Sequence, residues 1–163
     1  MTTHRPLPQV GRVRELLSYD PETGVLTWRV SRGPAAGTVA GNPNVRGYVP
    51  VMVDGTQFRA HRLAWLLATG DDPGPSEIDH RDGDRSNNRM DNLRLASRVE
   101  NTRNRKPTGR YLKGVERTPS GRYRAKIYVN HHIHLGMFDT EEEAHAAYVA
   151  AAHHHFGEFA NVG

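Results

Sequence analysis

The sequence predicts an α+β protein made of short antiparallel hairpins and amphipathic helices, and three observations lead to this class. Apolar residues alternate with polar ones on both sides of Asp54-Gly55, which is typical of a two-residue hairpin turn. Residues 61–69, with the sequence HRLAWLLAT, follow a helical pattern that Gly70 ends. From Tyr111 onward, three short strand-like runs precede a helix-like run.

The elements that precede the central segment follow from local pattern and turn residues. They are, in chain order, a helix, a turn, a strand and a loop: residues 11–17, 19–24, 25–28 and 31–44. The hairpin strands are predicted over residues 47–53 and 56–60, and Pro50 suits an edge strand. The apolar residues of the predicted helix over 61–69 are expected to pack in the core of this part of the chain.

The central segment, residues 77–105, concentrates polar residues that suggest chemistry. It is predicted as a strand, a polar loop and a second strand: residues 77–80, 82–88 and 92–95. Ser97 then caps a helix, with Glu100 three residues later completing a capping box. A hairpin followed by a helix can bring Asp79 next to Asn101.

The charge distribution points to a polyanionic partner. The chain has 163 residues, with 22 Lys and Arg against 18 Asp and Glu, and its isoelectric point is about 9.7. Eleven of the 22 cationic residues lie between Arg94 and Lys126, against two acidic residues. Such a concentration is typical of nucleic-acid binding, although charge by itself also fits a solvated linker.

Composition also limits the cofactor and the compartment. The chain has no cysteine, so any metal ion must be bound by oxygen and nitrogen ligands. No long apolar run is present, so we expect no membrane span and no membrane partner. A cytoplasmic location, in a bacterium or a phage-infected host cell, is the expectation.

The polar residues of the central segment suit phosphodiester hydrolysis. Asp79 and Asn101 offer a carboxylate and an amide oxygen, which are ligands that Mg²⁺ or Mn²⁺ accepts. His80 points to the opposite side of the strand, and an imidazole with a pKa near ~6.5 can take a proton from water. Asn92 is a candidate to fix the His80 tautomer through a hydrogen bond.

Two structural alternatives apply to the same polar loop. A calcium loop does not fit, because Met90 falls at the twelfth position, where a Glu is needed. A plain Asx-rich turn leaves His80 and Asn101 unexplained. For Asn87 and Asn88, however, turn formation is a better interpretation than catalysis.

The central segment resembles the HNH motif of phage and intron-encoded homing endonucleases, which have a ββα-metal fold. The matching residues are Asp79, His80, Asp82, Gly83, Asn87, Asn88, Asn92, Leu93, Arg94, Leu95, Glu100 and Asn101. The resemblance implies that His80 is the general base and that Asp79 and Asn101 bind one divalent metal ion. It also implies that Asn92 orients His80 and braces the loop. The resemblance covers roughly residues 18–105, and Asn in the place of the last His is usual for this subgroup.

The C-terminal part is predicted as a small three-stranded antiparallel sheet packed on one helix. The strands are expected over three runs: residues 111–115, 122–129 and 133–136. Thr140 and Glu143 form a capping box at the start of the helix, and Gly157 ends it. We therefore expect a nuclease domain over 1–105, a basic linker over 106–110 and a second domain over 111–163.

This second domain resembles the plant ethylene-response-factor (APETALA-two) DNA-binding domain. The matching residues are 112–115, 121–127, 135–136, 138–140, 142–144, 147–148, 151–152 and Gly157. The resemblance implies that the sheet enters the major groove of DNA. The candidate DNA contacts are Arg122, Arg124, Lys126 and Tyr128 on one face of a strand, with Arg103, Arg105 and Lys106 near the linker. Glu116, His132 and His134 stand where relatives carry basic or Trp residues.

Together these features predict a metal-dependent endonuclease that cuts double-stranded DNA and needs no small-molecule cofactor. A homing nuclease of phage or mobile-element type is the favoured biology, with a restriction or packaging nuclease as the second possibility. A DNA-binding protein without catalysis is the alternative class. One motif in each chain fits a monomer that nicks or a homodimer that cuts both strands.

Overall fold

The computed structural model describes residues 5–31, 35–103 and 110–162, and it has the predicted α+β class. By internal packing the chain divides into two units, Met1–Arg98 and Val99–Gly163. No helix within the described ranges is long and apolar enough to cross a membrane.

Among its described residues, the first unit holds two α-helices, a short 3-10 helix at Met90–Asn92 and three antiparallel hairpins. The α-helices and strands are α1 (Val10–Leu16), β1 (Leu17–Tyr19), β2 (Leu26–Trp28), β3 (Pro50–Val53), β4 (Thr56–Arg59), α2 (Ala60–Thr69), β5 (Glu77–His80) and β6 (Leu93–Ala96). The pairs are β1–β2, β3–β4 and β5–β6.

Strand β1 was not predicted, because the sequence pattern assigned Leu17 to a helix and residues 19–24 to a turn. In the structure α1 ends one residue earlier, and Leu17 is already extended, with φ −129°. Leu17 pairs with Trp28, and the turn at residues 20–24 closes this hairpin. Because β1 follows α1 with no intervening loop, no turn residue marks the end of the helix, whereas β2 follows the turn at Gly24 and was predicted.

The predicted hairpin around Asp54-Gly55 and the predicted helix after it are confirmed. β3 and β4 pair antiparallel with Val53 opposite Thr56, and Gly70 ends α2 in the left-handed conformation. Apolar side chains from these elements join α1, β1 and β2 in one core. A second small cluster of Ala64, Ile78 and Leu93 fixes the β5–β6 hairpin against α2.

The second unit is a three-stranded antiparallel sheet covered by one helix, as predicted. Its elements are α3 (Arg98–Arg103), which begins at the division, β7 (Val115–Arg117), β8 (Tyr123–Tyr128), β9 (His132–Phe138) and α4 (Glu141–Phe156). Ile127 of the sheet packs against Tyr148, Ala152 and Phe156 of α4. The predicted capping box of Thr140 and Glu143 is present at the start of α4.

The first strand of this sheet begins later than predicted. Residues 111–115 were expected to be extended, but β7 starts at Val115. Gly114 has φ +81°, and a Cβ placed there would lie 2.0 Å from Cδ2 of Tyr148. The chain therefore turns at Gly114 to let the ring of Tyr148 pack, which a strand pattern does not reveal.

Candidate active site

The β5–β6 hairpin carries the residues that the sequence identified as catalytic. Its register places Asp79 opposite Arg94 and His80 opposite Leu93. Ile78, Asp79 and His80 are all buried, although a strand sends successive side chains to opposite faces. Two titratable side chains of β5 are therefore both removed from solvent, although they point to opposite faces of the strand.

Asp79 and Arg94 form a buried cross-strand ion pair. Nε and Nη2 of Arg94 donate hydrogen bonds to Oδ2 of Asp79, at 2.9 and 2.7 Å. The side chains are 5% and 6% exposed, so solvent screens this pair weakly. The carboxylate that the sequence assigned to a metal ion thus also compensates a buried guanidinium.

His80 is held by Asn88, which lies in the loop between β5 and β6. The Asn88 Nδ2 donates to the carbonyl of Ser86 at 3.1 Å, which orients its Oδ1 toward Nε2 of His80 at 3.2 Å. Nε2 must then carry the proton, and the lone pair of the neutral ring lies on Nδ1. Burial lowers the pKa of His80 below its ordinary value, so this ring is neutral at pH 7.

The β1–β2 hairpin supports Asn88 from behind. The Tyr19 hydroxyl donates to the carbonyl of Asn88 at 2.8 Å. Gly24, at φ +75°, packs so closely that a Cβ there would lie 2.5 Å from the backbone nitrogen of Arg89. The β1–β2 hairpin, of which the sequence predicted only β2, is therefore part of the site.

Asn92 occupies a different place from the one predicted. Its Oδ1 accepts from the backbone N–H of Asp82 at 3.1 Å, and its Nδ2 donates to Asp82 Oδ1 and to the carbonyl of Asn87. The expected contact from Asn92 to His80 is therefore wrong, because both Nδ2 protons are donated within the loop and Oδ1 accepts from the loop backbone. Asn88 makes that contact instead, and the loop-bracing geometry expected of Asn92 is present.

Asn88 and His61 are the two site residues that sequence reasoning missed. Asn88 was assigned to turn formation, and only its burial, at 3% exposed, distinguishes it from Asn87. His61 was assigned to the core helix, but its ring lies edge-on to that of His80, with centroids 5.1 Å apart. Burial, with a smaller contribution from His80, lowers the pKa of His61 well below its ordinary value. No spacing rule in the sequence signals either contact.

The donor set at the predicted metal site fits a hard divalent cation in kind. A carboxylate has about four lone-pair directions, so Asp79 can bind a cation while it accepts from Arg94. Asn101 lies half-buried on α3, in the second unit, and its role as a ligand stays a prediction. Within the described part of the chain, no cluster of three or more His, Asp or Glu side chains could hold a metal ion by itself.

The predicted DNA-binding stripe lies on the open face of the C-terminal sheet, opposite α4. Ala125 and Ile127 are buried beneath the helix, whereas Arg124 and Lys126 are half-buried on the other face and Tyr128 is exposed. Arg124, Lys126, His132, His134 and Met137 line an open groove of about 510 Å³. The side chain of Arg103, and Arg105 and Lys106 entirely, lie outside the described residues.

Acidic side chains partner most of the cations on this face. Glu116 Oε2 accepts from Nη2 of Arg124 at 2.9 Å and from Nζ of Lys126 at 2.7 Å. Hydrogen bonds from Lys126 and Arg124 lower the pKa of Glu116 to about 2. Arg122 donates to Asp139 at 2.8 Å.

Comparison with known proteins places the β5–β6 hairpin in a defined family. Residues 58–103 match the family described as HNH endonuclease, so an HNH domain is present in the chain. An uncharacterised HNH endonuclease of Acanthamoeba polyphaga mimivirus is 36% identical over 116 residues. That alignment covers 70% of this chain and 61% of the viral protein. No solved structure matches the chain.

Proposed function

We propose that this protein is a metal-dependent DNA endonuclease that hydrolyses phosphodiester bonds. The observation that carries the proposal is the buried imidazole of His80, whose Nε2 lies 3.2 Å from Oδ1 of Asn88 within the segment that matches HNH endonucleases. A buried, oriented base beside a carboxylate is the arrangement that activates water next to a phosphate.

His80 is the general base of the proposed reaction. Its Nδ1 takes the proton from the attacking water, and Asn88 stabilises the resulting imidazolium by accepting from Nε2–H. The lowered pKa keeps the ring neutral at pH 7, so the base needs no prior deprotonation. His61 and the loop that Asn92 braces restrict the movement of the ring.

Asp79 and Asn101 are the residues that would hold the divalent metal ion, Mg²⁺ or Mn²⁺. When bound, such an ion stabilises the negative charge that develops on the phosphate and on the leaving oxygen. Arg94 orients the Asp79 carboxylate through its two hydrogen bonds and compensates its charge when no cation is bound.

The C-terminal unit positions the enzyme on double-stranded DNA. Support comes from its resemblance to the ethylene-response-factor domain and from the cationic groove on its open face. Arg122, Arg124, Lys126 and Tyr128 contact DNA there, and Arg103, Arg105 and Lys106 neutralise phosphates. A nuclease joined to its own DNA reader suits a homing role in a phage or mobile element better than a restriction or packaging role.

Cleavage of supercoiled plasmid tests the catalytic proposal. The wild type should nick or linearise DNA with Mg²⁺ or Mn²⁺, and excess chelator should stop the reaction. His80→Ala should reduce the rate at least ~100-fold, as expected for loss of a general base. Metal-dependent cutting that persists in His80→Ala would contradict the assignment of the base.

The second candidate is a DNA-binding protein without catalysis. The ion pair of Asp79 with Arg94 favours it, because a carboxylate paired with a guanidinium is a weaker metal ligand than an open one. Retention of tight DNA binding, with no cutting of any tested DNA in Mg²⁺ or Mn²⁺, would support this candidate over the nuclease.

A further inference from the structure

In the first unit, two arginines lie against the ring of one tyrosine. The guanidinium of Arg59 is 4.2 Å from the ring centroid of Tyr48, and that of Arg85 is 4.8 Å from it. Tyr48 precedes β3, Arg59 ends β4, and Arg85 lies in the loop between β5 and β6. Three separate segments therefore converge to form this group, called here the Tyr48 cluster.

The two cations of the Tyr48 cluster are not neutralised within the described residues. In the described part of the chain, no carboxylate lies within ion-pair distance of Arg59 or Arg85, whereas Arg12, Arg62 and Arg89 in the same unit each have an aspartate partner. The guanidinium of Arg85 lies over the Tyr48 ring and donates to the carbonyl of Arg46 at 3.1 Å. Two like charges around one ring repel each other, so an anion bound beside them would relieve that repulsion.

The Tyr48 cluster adjoins the candidate active site. Tyr48 lies edge-on to His61, with ring centroids 5.6 Å apart, and His61 lies edge-on to His80 at 5.1 Å. The ring centroids of Tyr48 and His80 can therefore be no farther apart than the sum of these two distances. Phosphates on one DNA strand follow each other every ~3.4 Å along the helix axis. The largest possible separation of the Tyr48 and His80 rings therefore corresponds to about three nucleotides.

We propose that Arg59 and Arg85, held in place by Tyr48, bind a backbone phosphate of the strand to be cut, within about three nucleotides of the scissile bond. This inference rests on the proposed nuclease function. A guanidinium presents a planar set of donors that matches phosphate oxygens, and stacking on an aromatic ring pre-orders it. Such a contact carries no sequence information and fixes the register of the strand over His80.

The salt dependence of DNA binding tests the inference without cleavage. Arg59→Gln and Arg85→Gln are made in the full-length His80→Ala protein, and affinity for a duplex is measured from 50 to 200 mM salt. Each substitution should lower the slope of log affinity against log salt by about 0.9, the value for one lost phosphate contact. Arg14→Gln on α1, an exposed arginine with the same change in charge, should leave the slope unchanged.

Tyr48→Leu separates ordering of the arginines from their charge. It retains both cations, so the salt slope should remain while affinity falls several-fold and KM for cleavage rises in the His80-containing protein. Slopes for Arg59→Gln and Arg85→Gln equal to that of Arg14→Gln would overturn the inference. Cutting by the wild type in that case would leave the nuclease proposal intact. Reduced slopes without any cutting would uphold the phosphate contact of the two arginines, but they would contradict the nuclease proposal and with it the place of that contact beside a scissile bond. If the His80→Ala protein does not bind DNA, the inference is overturned. The nuclease proposal would then be judged only by plasmid cleavage with the wild type.

Discussion

Arg94 and Asp79 face each other across the β5–β6 hairpin, and Nε and Nη2 of the guanidinium both donate to Oδ2 of the carboxylate. Both side chains are almost completely buried. Asp79 therefore has a structural role that is independent of any metal ion. Loss of activity on substitution of Asp79 would not, by itself, identify it as a metal ligand.

A double-mutant cycle measures this structural role. Asp79→Leu and Arg94→Met should each lower the free energy of unfolding by roughly 3–5 kcal/mol, because each leaves a buried charge without its partner. The double variant should lose much less than the sum, since no uncompensated charge remains. Urea denaturation of all four proteins gives the coupling energy, and additive losses would show that the two residues act independently.

A metal titration separates the two roles of Asp79. Arg94→Met retains the Asp79 carboxylate, so in its folded fraction it should still bind Mn²⁺, whereas the double variant, which also carries Asp79→Leu, should not. Mn²⁺ binding is measured by calorimetry on protein shown to be folded by circular dichroism. Equal Mn²⁺ affinity in the two variants would contradict the prediction that Asp79 is a ligand.

Substitution of Asn88 should mainly lower kcat, whereas substitution of Asn92 should mainly lower the free energy of unfolding. Asn88→Ala removes the acceptor that fixes the His80 tautomer, so kcat should fall about 10- to 100-fold, as for outer partners that orient other functional histidines. Asn92→Ala removes three hydrogen bonds from the loop, so it should mainly lower the free energy of unfolding, by about 1–3 kcal/mol. Steady-state cleavage and urea denaturation of both variants provide the comparison.

The reverse pattern, with kcat lost in Asn92→Ala and retained in Asn88→Ala, would restore the sequence-based role of Asn92. Asn87→Ala is a suitable control, because its side chain bonds to Asp82 and Arg89 and not to His80. It should affect kcat less than Asn88→Ala does.

The contrast between these asparagines shows what the sequence could predict. Spacing and turn chemistry identified the hairpin, its loop and His80, because those depend on residues close in the chain. Which asparagine faces His80 depends on burial by the β1–β2 hairpin, through Tyr19 and Gly24, about 65 residues away in the chain. Strand β1 follows α1 with no intervening loop, so no turn residue marks where the helix ends and the strand begins, and the packing of this hairpin could not be foreseen.

In the second unit, the sequence likewise predicted the direction of the charged side chains but not their partners. The alternation along β8 correctly predicted that Arg124 and Lys126 face away from α4. It did not reveal that both bind Glu116, because that contact depends on the register of β7 against β8.

His61 should make the stability of the first unit sensitive to mild acid. Its pKa in the folded protein is well below 6.5, so the unfolded chain binds more protons as pH falls. The stabilisation is complete above pH ~6.5 and is lost as pH falls from there toward the lowered pKa. The free energy of unfolding should therefore decrease between pH 7 and pH 5.

His61→Phe tests this dependence because it keeps an aromatic ring in the same buried position. The decrease between pH 7 and pH 5 should become shallower in this variant, and the remainder should come in part from His80, whose pKa is lowered in the same direction. His131→Gln, at an exposed histidine, serves as the control and should keep the wild-type profile. An unchanged profile in His61→Phe would contradict the assignment.

Glu116 should restrain the affinity of the C-terminal unit for DNA. With a pKa of about 2 it is ionised at every working pH, and it holds Arg124 and Lys126 on a single oxygen. Glu116→Gln removes that charge, so both cations become available to phosphates, and DNA affinity should rise several-fold with a steeper salt dependence. The matched control is Glu142→Gln, an exposed residue of α4 with the same change in charge, which should raise affinity much less. If Glu116→Gln instead weakens binding to one sequence and not to others, Glu116 itself accepts from a base, as acidic side chains do from cytosine in the major groove.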